Sequence, residues 1–589
     1  MEKINFRYIF KLLLDEKKTL IFGQFATIIG ILISIPIPLM LPALVDEVLL
    51  KKPAFFINNI DNFFGAGNAF YYIAIVTLAV IILRVLHFIF GVITTKIFTK
   101  ISKYVTFKIR EKLINHLKNV CMNEYESLGS GAISANLITD VTTLDNFIIT
   151  SASKFISSVL TLIAVSIVMI AIHPVLGLMI LFIQPIIMVL SKKISKQVGT
   201  LKKIENNSIE SFQDNISESL ELFGQIKASN KENYFFNDSI NKAKQIQETS
   251  NNYSYKSVAY ERFSFTIFLV AFEILRASGL VMVAYSDLSI GMMFAMFGYI
   301  WFIMTPVQDI LSMQYAYTTA NAAIERLNRI LSLNIEKNGS KILNKNENGV
   351  DIKLHKVSFS YDGDKNILND INLDINAGEK IALIGASGSG KTTLAQVIAT
   401  FYTKNSGDIT YNNISVDEIN KQSLRDELFL VLQMPILFNN TLRFNITMGR
   451  ENISDEDIYK ALDIAQLKDT ILNMDNKLET IVGKHGIRLS GGQRQRLSIA
   501  RMIIANPSIV IFDESTSALD VHTEVKLFNS LMPILEDKTV ITIAHRLSTV
   551  KNANRIYVLD NGKIVQRGTH KELEEEEGHY LEFIKNQLI

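Results

Sequence analysis

Gly385-Ala-Ser-Gly388-Ser-Gly390-Lys391-Thr392, followed by Leu489-Ser-Gly-Gly-Gln493 and then by Ile509-Val-Ile-Phe-Asp513-Glu514, decides the reading of this 589-residue chain. The first segment fits the phosphate-binding loop: its glycines let backbone N–H groups wrap phosphates, its lysine reaches the outer ones, and its threonine hydroxyl meets Mg²⁺. Ile381-Ala-Leu-Ile384 reads as the buried strand that feeds it, and a helix expected from Lys391 points its positive end at the same place. Alone, the loop implies only a bound nucleotide. Asp513 ends a second apolar run and is expected to hold Mg²⁺ through water, while Glu514 is the candidate general base for water attacking a γ-phosphate. A carboxylate suits that role because it accepts the proton as the nucleophile forms.

Outward from these motifs the chain divides in two. Up to about residue 315 there are long apolar runs with few charges; from Leu343 onward short strands, glycine turns and helices alternate in the manner of an α/β domain. The length calls for at least two domains. A formal net charge of +2 gives no reason to expect nucleic acid as partner. Cys121 is the only cysteine, which excludes an intrachain disulfide and a cysteine metal cluster. The mixed-charge, amphipathic lead-in over 1–18 resembles neither a signal peptide nor an acid-poor transit peptide, so a bacterial inner membrane is expected.

A spanning helix needs ~20 mostly apolar residues, and six candidates lie at 20–45, 69–95, 155–172, 175–190, 263–285 and 292–311. The third and fourth are joined by His173-Pro174 alone and should form a tight hairpin. Lysine and arginine crowd 96–118 and 192–262 but are absent from that turn and from 286–291. By the positive-inside rule both termini and both long loops are cytoplasmic. Loops of this length with helical periodicity are expected to be helical extensions of the spans. Pro36, Pro38 and Pro42 remove backbone donors and should kink the first span where a cavity opens. Phe56, Ile60, Phe63 and Phe64 recur at helical spacing opposite Asn58, Asn59, Asp61 and Asn62, the pattern of a short amphipathic helix that either lies in the outer headgroup layer or packs on the bundle.

With both halves in view, the chain resembles the ATP-binding cassette (ABC) exporters over nearly its full length: Leu489-Ser-Gly-Gly-Gln493 is similar to their signature, and six spans with long intracellular loops precede one cassette. The fold implied is an α-helical six-span transmembrane domain with long cytoplasmic helical loops (1–335), a linker (336–349) and an α/β P-loop ATP-binding cassette domain (350–589). The resemblance places coupling helices near 138–145 and 212–222, where Ser217-Glu218-Ser219-Leu220 fits the family and Glu221-Leu222-Phe223-Gly224 departs from it.

The resemblance also implies roles. Tyr361 would stack on adenine; Gly385, Ser387, Gly388, Gly390, Lys391, Thr392 and Thr393 would bind ATP; Thr392, Gln433 and Asp513 would serve Mg²⁺; and Glu514, His545 and Gln433 would be catalytic. Leu489, Ser490, Gly491, Gly492 and Gln493 would act on the ATP of a second cassette, near Asp520. One cassette per chain then calls for a partner, and the intact motif set favours a C₂ homodimer over a heterodimer. Thr480-Ile-Val-Gly-Lys484-His-Gly486 departs from the exporters' usual acidic segment.

Four ionisable residues inside the spans, Arg84, His87, Glu273 and Arg276, read either as a polar patch in a substrate cavity or as self-neutralising pairs that hold helices together. Met282, Met292, Met293, Met296 and Met304 with Phe294, Phe297, Tyr299 and Trp301 read either as a soft cavity lining or as helix packing. The function expected is ATP-driven export or flipping of a hydrophobic or amphipathic substrate, lipid or drug-like, with peptide export as the alternative.

Overall fold

The computed structural model describes residues 3–52, 55–346, 348–361, 363, 365–483, 489–515, 518–544 and 547–588. The chain forms two compact units, one of residues 1–115 and 131–332, the other of 116–130 and 333–589.

Among its described residues the first unit is built of helices and has no strand. Five helices among the described residues are long and apolar enough to cross a membrane: Lys17–Leu49, Ala69–Leu117, Ser130–Ile172, Glu232–Tyr285 and Ile290–Ile310. The expected span 175–190 lies in helix Pro174–Glu221, where most side chains of 180–196 are outside the described residues. His173 breaks the preceding helix with an extended backbone and Pro174 starts the next, as the sequence suggested, because proline at a helix start has no N–H to lose. The hairpin is tight: a Cβ on Gly177 would sit 2.7 Å from the Ile170 amide nitrogen.

The first span changes helix type along its proline-containing stretch. The helix Lys17–Ser34 stops at Ile35, Pro36–Pro42 follows, and Ala43–Leu49 is a π-helical stretch. Tyr299, fully buried, donates its hydroxyl to the Ile35 carbonyl at 2.5 Å. The methionine stripe mostly serves packing: Met293 and Met296 join Val165, Leu275, Tyr299 and Ile300 in one cluster, while Phe294 and Trp301 stay exposed. The amphipathic segment is the helix Phe55–Phe64. Its Ile57 packs on Val48 and Tyr72, and Glu47 accepts from the Ile57 and Phe56 amides at 2.6 and 3.1 Å.

The first long loop divides between the two units. Residues 138–145 belong to the membrane unit, where Arg326 grips buried Asp140 through Nε at 3.0 Å and Lys103 pairs with Asp145 at 2.5 Å. Residues 116–130, an earlier part of the same loop, group with the second unit instead: Cys121 N–H donates to the Asn334 carbonyl at 2.9 Å, and Tyr402 donates to Glu126 at 2.9 Å. The second expected coupling stretch is the end of helix Pro174–Glu221, and the separate short helix beyond it is Phe223–Ala228.

Among its described residues the second unit holds twelve strands: β1 Ile352–Phe359, β2 Leu368–Ile375, β3 Lys380–Gly385, β4 Ser406–Tyr411, β5 Ile414–Ser415, β6 Leu428–Val431, β7 Asn440–Thr441, β8 Ile481–Val482, β9 Ile509–Asp513, β10 Thr539–Ile543, β11 Arg555–Asp560 and β12 Lys563–Gly568. A six-stranded sheet in the order β12-β11-β3-β10-β9-β6 is parallel except for β12, and an antiparallel sheet runs β2-β1-β4-β5. The central strands are uninterrupted apolar runs because both faces are covered, the usual pattern of a parallel sheet. Residues 336–349 are bonded to this unit, with Lys341 N–H donating to the Glu418 carbonyl and Arg425 clamping Glu336 at 2.7 and 3.0 Å.

Candidate functional site

Adjacent parallel strands β3, β10 and β9 bring their carboxyl ends together, the place where open α/β sheets bind ligands. The phosphate loop leaves β3. Gly385, Gly388 and Gly390 have φ of 151°, 80° and 101°, a region that side chains rarely adopt. At Gly385 a Cβ would lie 2.1 Å from the Leu559 carbonyl oxygen, so only glycine lets the loop turn there. Helix Lys391–Ile398 starts immediately after Gly390, leaving its first amides free for an anion.

Lys391 is buried, and its Nζ donates to the Gly385 and Ala386 carbonyls at 2.9 Å each, holding the ammonium over the loop. Burial pushes its pKa below the ordinary lysine value, and the carboxylates of Glu514 and Asp513 pull part of it back. Thr392 donates to Asp513 Oδ1 at 3.2 Å, so a hydroxyl and a buried carboxylate, both hard oxygen donors, share one spot. The Ser389 hydroxyl is buried and has no partner among the described residues, an orphan that a phosphate oxygen would satisfy. Ser387 is exposed, and buried Thr393 shares a hydrogen bond of 3.0 Å with the Tyr361 hydroxyl. The Tyr361 ring is held edge-on by Phe359 and Tyr402 at 5.0 and 5.1 Å and remains 40% exposed, open to a stacking partner.

Glu514 follows β9 with φ of 44°, a left-handed conformation that costs a glutamate energy and is over-represented at functional sites. Gln433 Nε2 donates to Glu514 Oε2 at 2.6 Å. These contacts bring Lys391, Thr392, Asp513, Glu514 and Gln433 together. His545 lies outside the described residues, as do Lys484, His485, Gly486 and Ser517.

The signature forms a separate turn. Ser490 caps helix Gly491–Ala505: its Oγ accepts from the Gln493 amide at 3.2 Å and its own amide donates to Gln493 Oε1 at 2.8 Å. Leu489 is buried beneath, and a Cβ on Gly492 would press within 3.0 Å of the Ala518 carbonyl oxygen. Asp520 caps the helix Val521–Leu535 by accepting from the Thr523 amide at 2.9 Å, and hydrogen bonding from the Thr523 hydroxyl first, then from its amide, holds the carboxyl below the usual range.

Sequence reasoning passed over two buried residues of the signature helix. Gln495 and Arg501 both reach the backbone of the loop after β6 that carries Gln433 (the Q-loop), Gln495 at the Gln433 carbonyl (2.9 Å) and Arg501 at the Ile436 carbonyl (3.3 Å). Burial pushes the Arg501 guanidinium down to about 10. A polar residue recurring inside an otherwise apolar helical face was the signal available.

In the membrane unit Glu273 and Arg276 pair at 2.5 Å on one helix, with both side chains about half exposed. His87 Nδ1 lies 3.0 Å from the Gly30 carbonyl oxygen, which can only accept, so that nitrogen carries the proton. Arg84 is exposed. No contact among the described residues joins Arg84 or His87 to the Glu273–Arg276 pair.

Residues 20–307 match the family description "ABC transporter transmembrane region", and residues 368–517 match "ABC transporter". The chain is 34% identical over 480 residues to an uncharacterized ABC transporter ATP-binding protein, YwjA, of Bacillus subtilis, covering 80% of this chain and 82% of that one. It is 31% identical to an ATP-dependent lipid A-core flippase of Legionella pneumophila, covering 83% of both, and 31% identical to a putative multidrug export ATP-binding/permease protein of Staphylococcus aureus, covering 81% of this chain and 83% of that one. Its fold matches the structure of a bacterial Atm1-family ABC exporter with ATP bound, with a TM-score of 0.86, 22% identity, and coverage of 97% and 98%. The chain belongs to the ABC transporter family as an exporter half-transporter, with membrane and ATPase parts fused, and is a multi-pass membrane protein that couples ATP hydrolysis to transport.

Proposed function

We propose that two copies form a C₂ homodimer that exports or flips a hydrophobic or amphipathic molecule, a lipid or drug-like compound, across a bacterial inner membrane, with both termini cytoplasmic. The observation that carries this reading is the Glu273–Arg276 pair, half exposed within an apolar span. Charge at that depth is costly unless it faces protein or a wet cavity. A single chain leaves the pair open, and a second copy would enclose it as the polar spot of an otherwise apolar cavity. The names of the lipid A flippase and multidrug relatives support an apolar or amphipathic cargo.

At each ATPase site Tyr361 stacks on adenine without demanding a hydrogen-bond pattern, and the amides behind Gly390 take the phosphates. Lys391 neutralises outer phosphate charge. Thr392, Asp513 and Gln433 would hold Mg²⁺, and the oxygen donors of Thr392 and Asp513, 3.2 Å apart, fit that ion. When bound, Mg²⁺ neutralises charge on the β- and γ-phosphate oxygens. Glu514 takes the proton of the attacking water, Gln433 orients Glu514, and His545 contacts the γ-phosphate. Leu489 to Gln493 of the other copy close over the nucleotide, with Asp520 beside the opposite site. ATP thus stabilises the joined cassettes and hydrolysis removes that stabilisation, so the two access states alternate by differential binding.

The test is transport by the chain alone in proteoliposomes, with fluorescent lipids and cationic dyes as cargo. MgATP-driven movement of one class, lost in Glu273→Ala/Arg276→Ala, is expected. Transport indifferent to that double change would remove the charge pair from the cavity.

A further inference from the structure

We propose that Gln495 is a positioning residue for ATP hydrolysis, aligning the Q-loop and the segment after Glu514 so that Gln433 meets the base. This inference rests on the reading of Glu514 as that base. Gln495 sits on helix Gly491–Ala505, two residues past the signature glutamine, and is only 3% exposed. Its Nε2 donates to the Gln433 carbonyl at 2.9 Å, and its Oε1 accepts from the Ala518 amide at 3.1 Å. The two ends of one amide therefore hold two loops that flank Glu514. Gln433 turns its own side chain to Glu514 at 2.6 Å, so its backbone is fixed from behind while its amide works in front.

The chemistry of the side chain matters because an amide has a donor and an acceptor at opposite corners. A glutamate keeps the acceptor for Ala518 but cannot donate to the Gln433 carbonyl. A leucine of similar reach does neither. Gln433 is exposed and lies two residues past the end of β6, so little besides this bond and the Arg501 contact at Ile436 fixes its backbone among the described residues. The Gly492–Ala518 approach brings the signature turn against the same segment. Movement of the signature helix would therefore be felt at both loops.

The experiment uses the purified full-length chain in liposomes, with Gln495→Leu, Gln495→Glu, Gln433→Ala, Gln433→Ala/Gln495→Leu and Glu514→Gln. Hydrolysis is measured at saturating MgATP, nucleotide affinity by displacement of a fluorescent ATP analogue, and folding by thermal melting. Expected is a kcat loss of ~10–100-fold in both Gln495 variants, with affinity changed less than ~3-fold. The double variant should be within ~2-fold of Gln433→Ala, because a residue acting through Gln433 has nothing to position once that side chain is gone. Losses that multiply in the double variant would show an independent, structural role and overturn the inference. So would a Gln495→Glu protein that melts normally and hydrolyses at the unsubstituted rate. Hydrolysis that persists in Glu514→Gln would overturn the Glu514 reading and this inference together; hydrolysis lost in Glu514→Gln, with Gln495→Glu unaffected, overturns the inference alone.

Discussion

The Gln433 side-chain amide donates to the Glu514 carboxylate at 2.6 Å, joining the loop after β6 to the residue after β9 across the mouth of the nucleotide site. Replacing that amide by a second carboxylate puts two like charges in contact, which raises the pKa of one of them. Gln433→Glu should therefore move the acid limb of the pH–rate profile upward, since the base stays protonated to higher pH, and lower the neutral-pH rate by ~10-fold or more. Gln433→Ala should lower the rate without moving the limb. Steady-state hydrolysis from pH 6 to 9 separates the two.

Lys391 ties nucleotide binding to protons. In the empty site burial holds its pKa below the ordinary value, so at alkaline pH it releases a proton that the unfolded chain still keeps. Stability of the empty protein should rise with pH across that window, because the unfolded state binds more protons there. A bound triphosphate pulls the lysine back up, so binding takes up a proton and affinity falls as pH climbs through the window. Calorimetry in buffers of different ionisation heat reads this directly. Lys391→Arg, charged throughout, should abolish the proton uptake.

Asp140 is 4% exposed and its partner Arg326 is 46% exposed, with Nε–Oδ1 and Nε–Oδ2 both 3.0 Å. Removing the arginine strands a buried carboxylate. Arg326→Leu should cost roughly 2–4 kcal/mol, at or below the range for a fully buried pair because the guanidinium is half solvated. Adding Asp140→Asn should recover much of the loss. Thermal unfolding in detergent measures both.

Cys121 offers an intrinsic reporter on residues 116–130. Burial first, then the nearby Glu336 and Glu124 carboxylates, push its thiol above the ordinary range, so little thiolate is present at neutral pH and maleimide labelling should be slow. Tyr402→Phe deletes the hydroxyl that holds Glu126 and should speed labelling several-fold. Timed labelling read by intact mass spectrometry requires no engineered cysteine, since the chain has only this one.

What the sequence made legible was local. The glycines before Lys391, the run ending in Asp513-Glu514, the His173-Pro174 hairpin and the proline-broken first span are each specified by a few consecutive residues whose backbone limits are severe. The seat of 116–130 was not legible, because helical periodicity runs through this loop and its choice of unit depends on distant Asn334 and Tyr402. Residues 336–349 look like a polar linker by composition, yet their bonds to Glu418 and Arg425 lie some eighty positions away. Gln495 escaped notice for the same reason: its partners, Gln433 and Ala518, lie on either side of it in sequence and meet only in the folded sheet.

In the proposed homodimer, this chain alone makes a working pair of ATP sites coupled to an apolar or amphipathic cargo. Purified chain reconstituted in liposomes, assayed for MgATP hydrolysis against a panel of lipids, lipid-linked sugars, dyes and peptides beside Glu514→Gln, tests it most directly. Hydrolysis stimulated by a lipid or dye class and reduced at least ~100-fold in Glu514→Gln is expected; absence of hydrolysis under every condition would contradict the homodimer and call for a different partner chain.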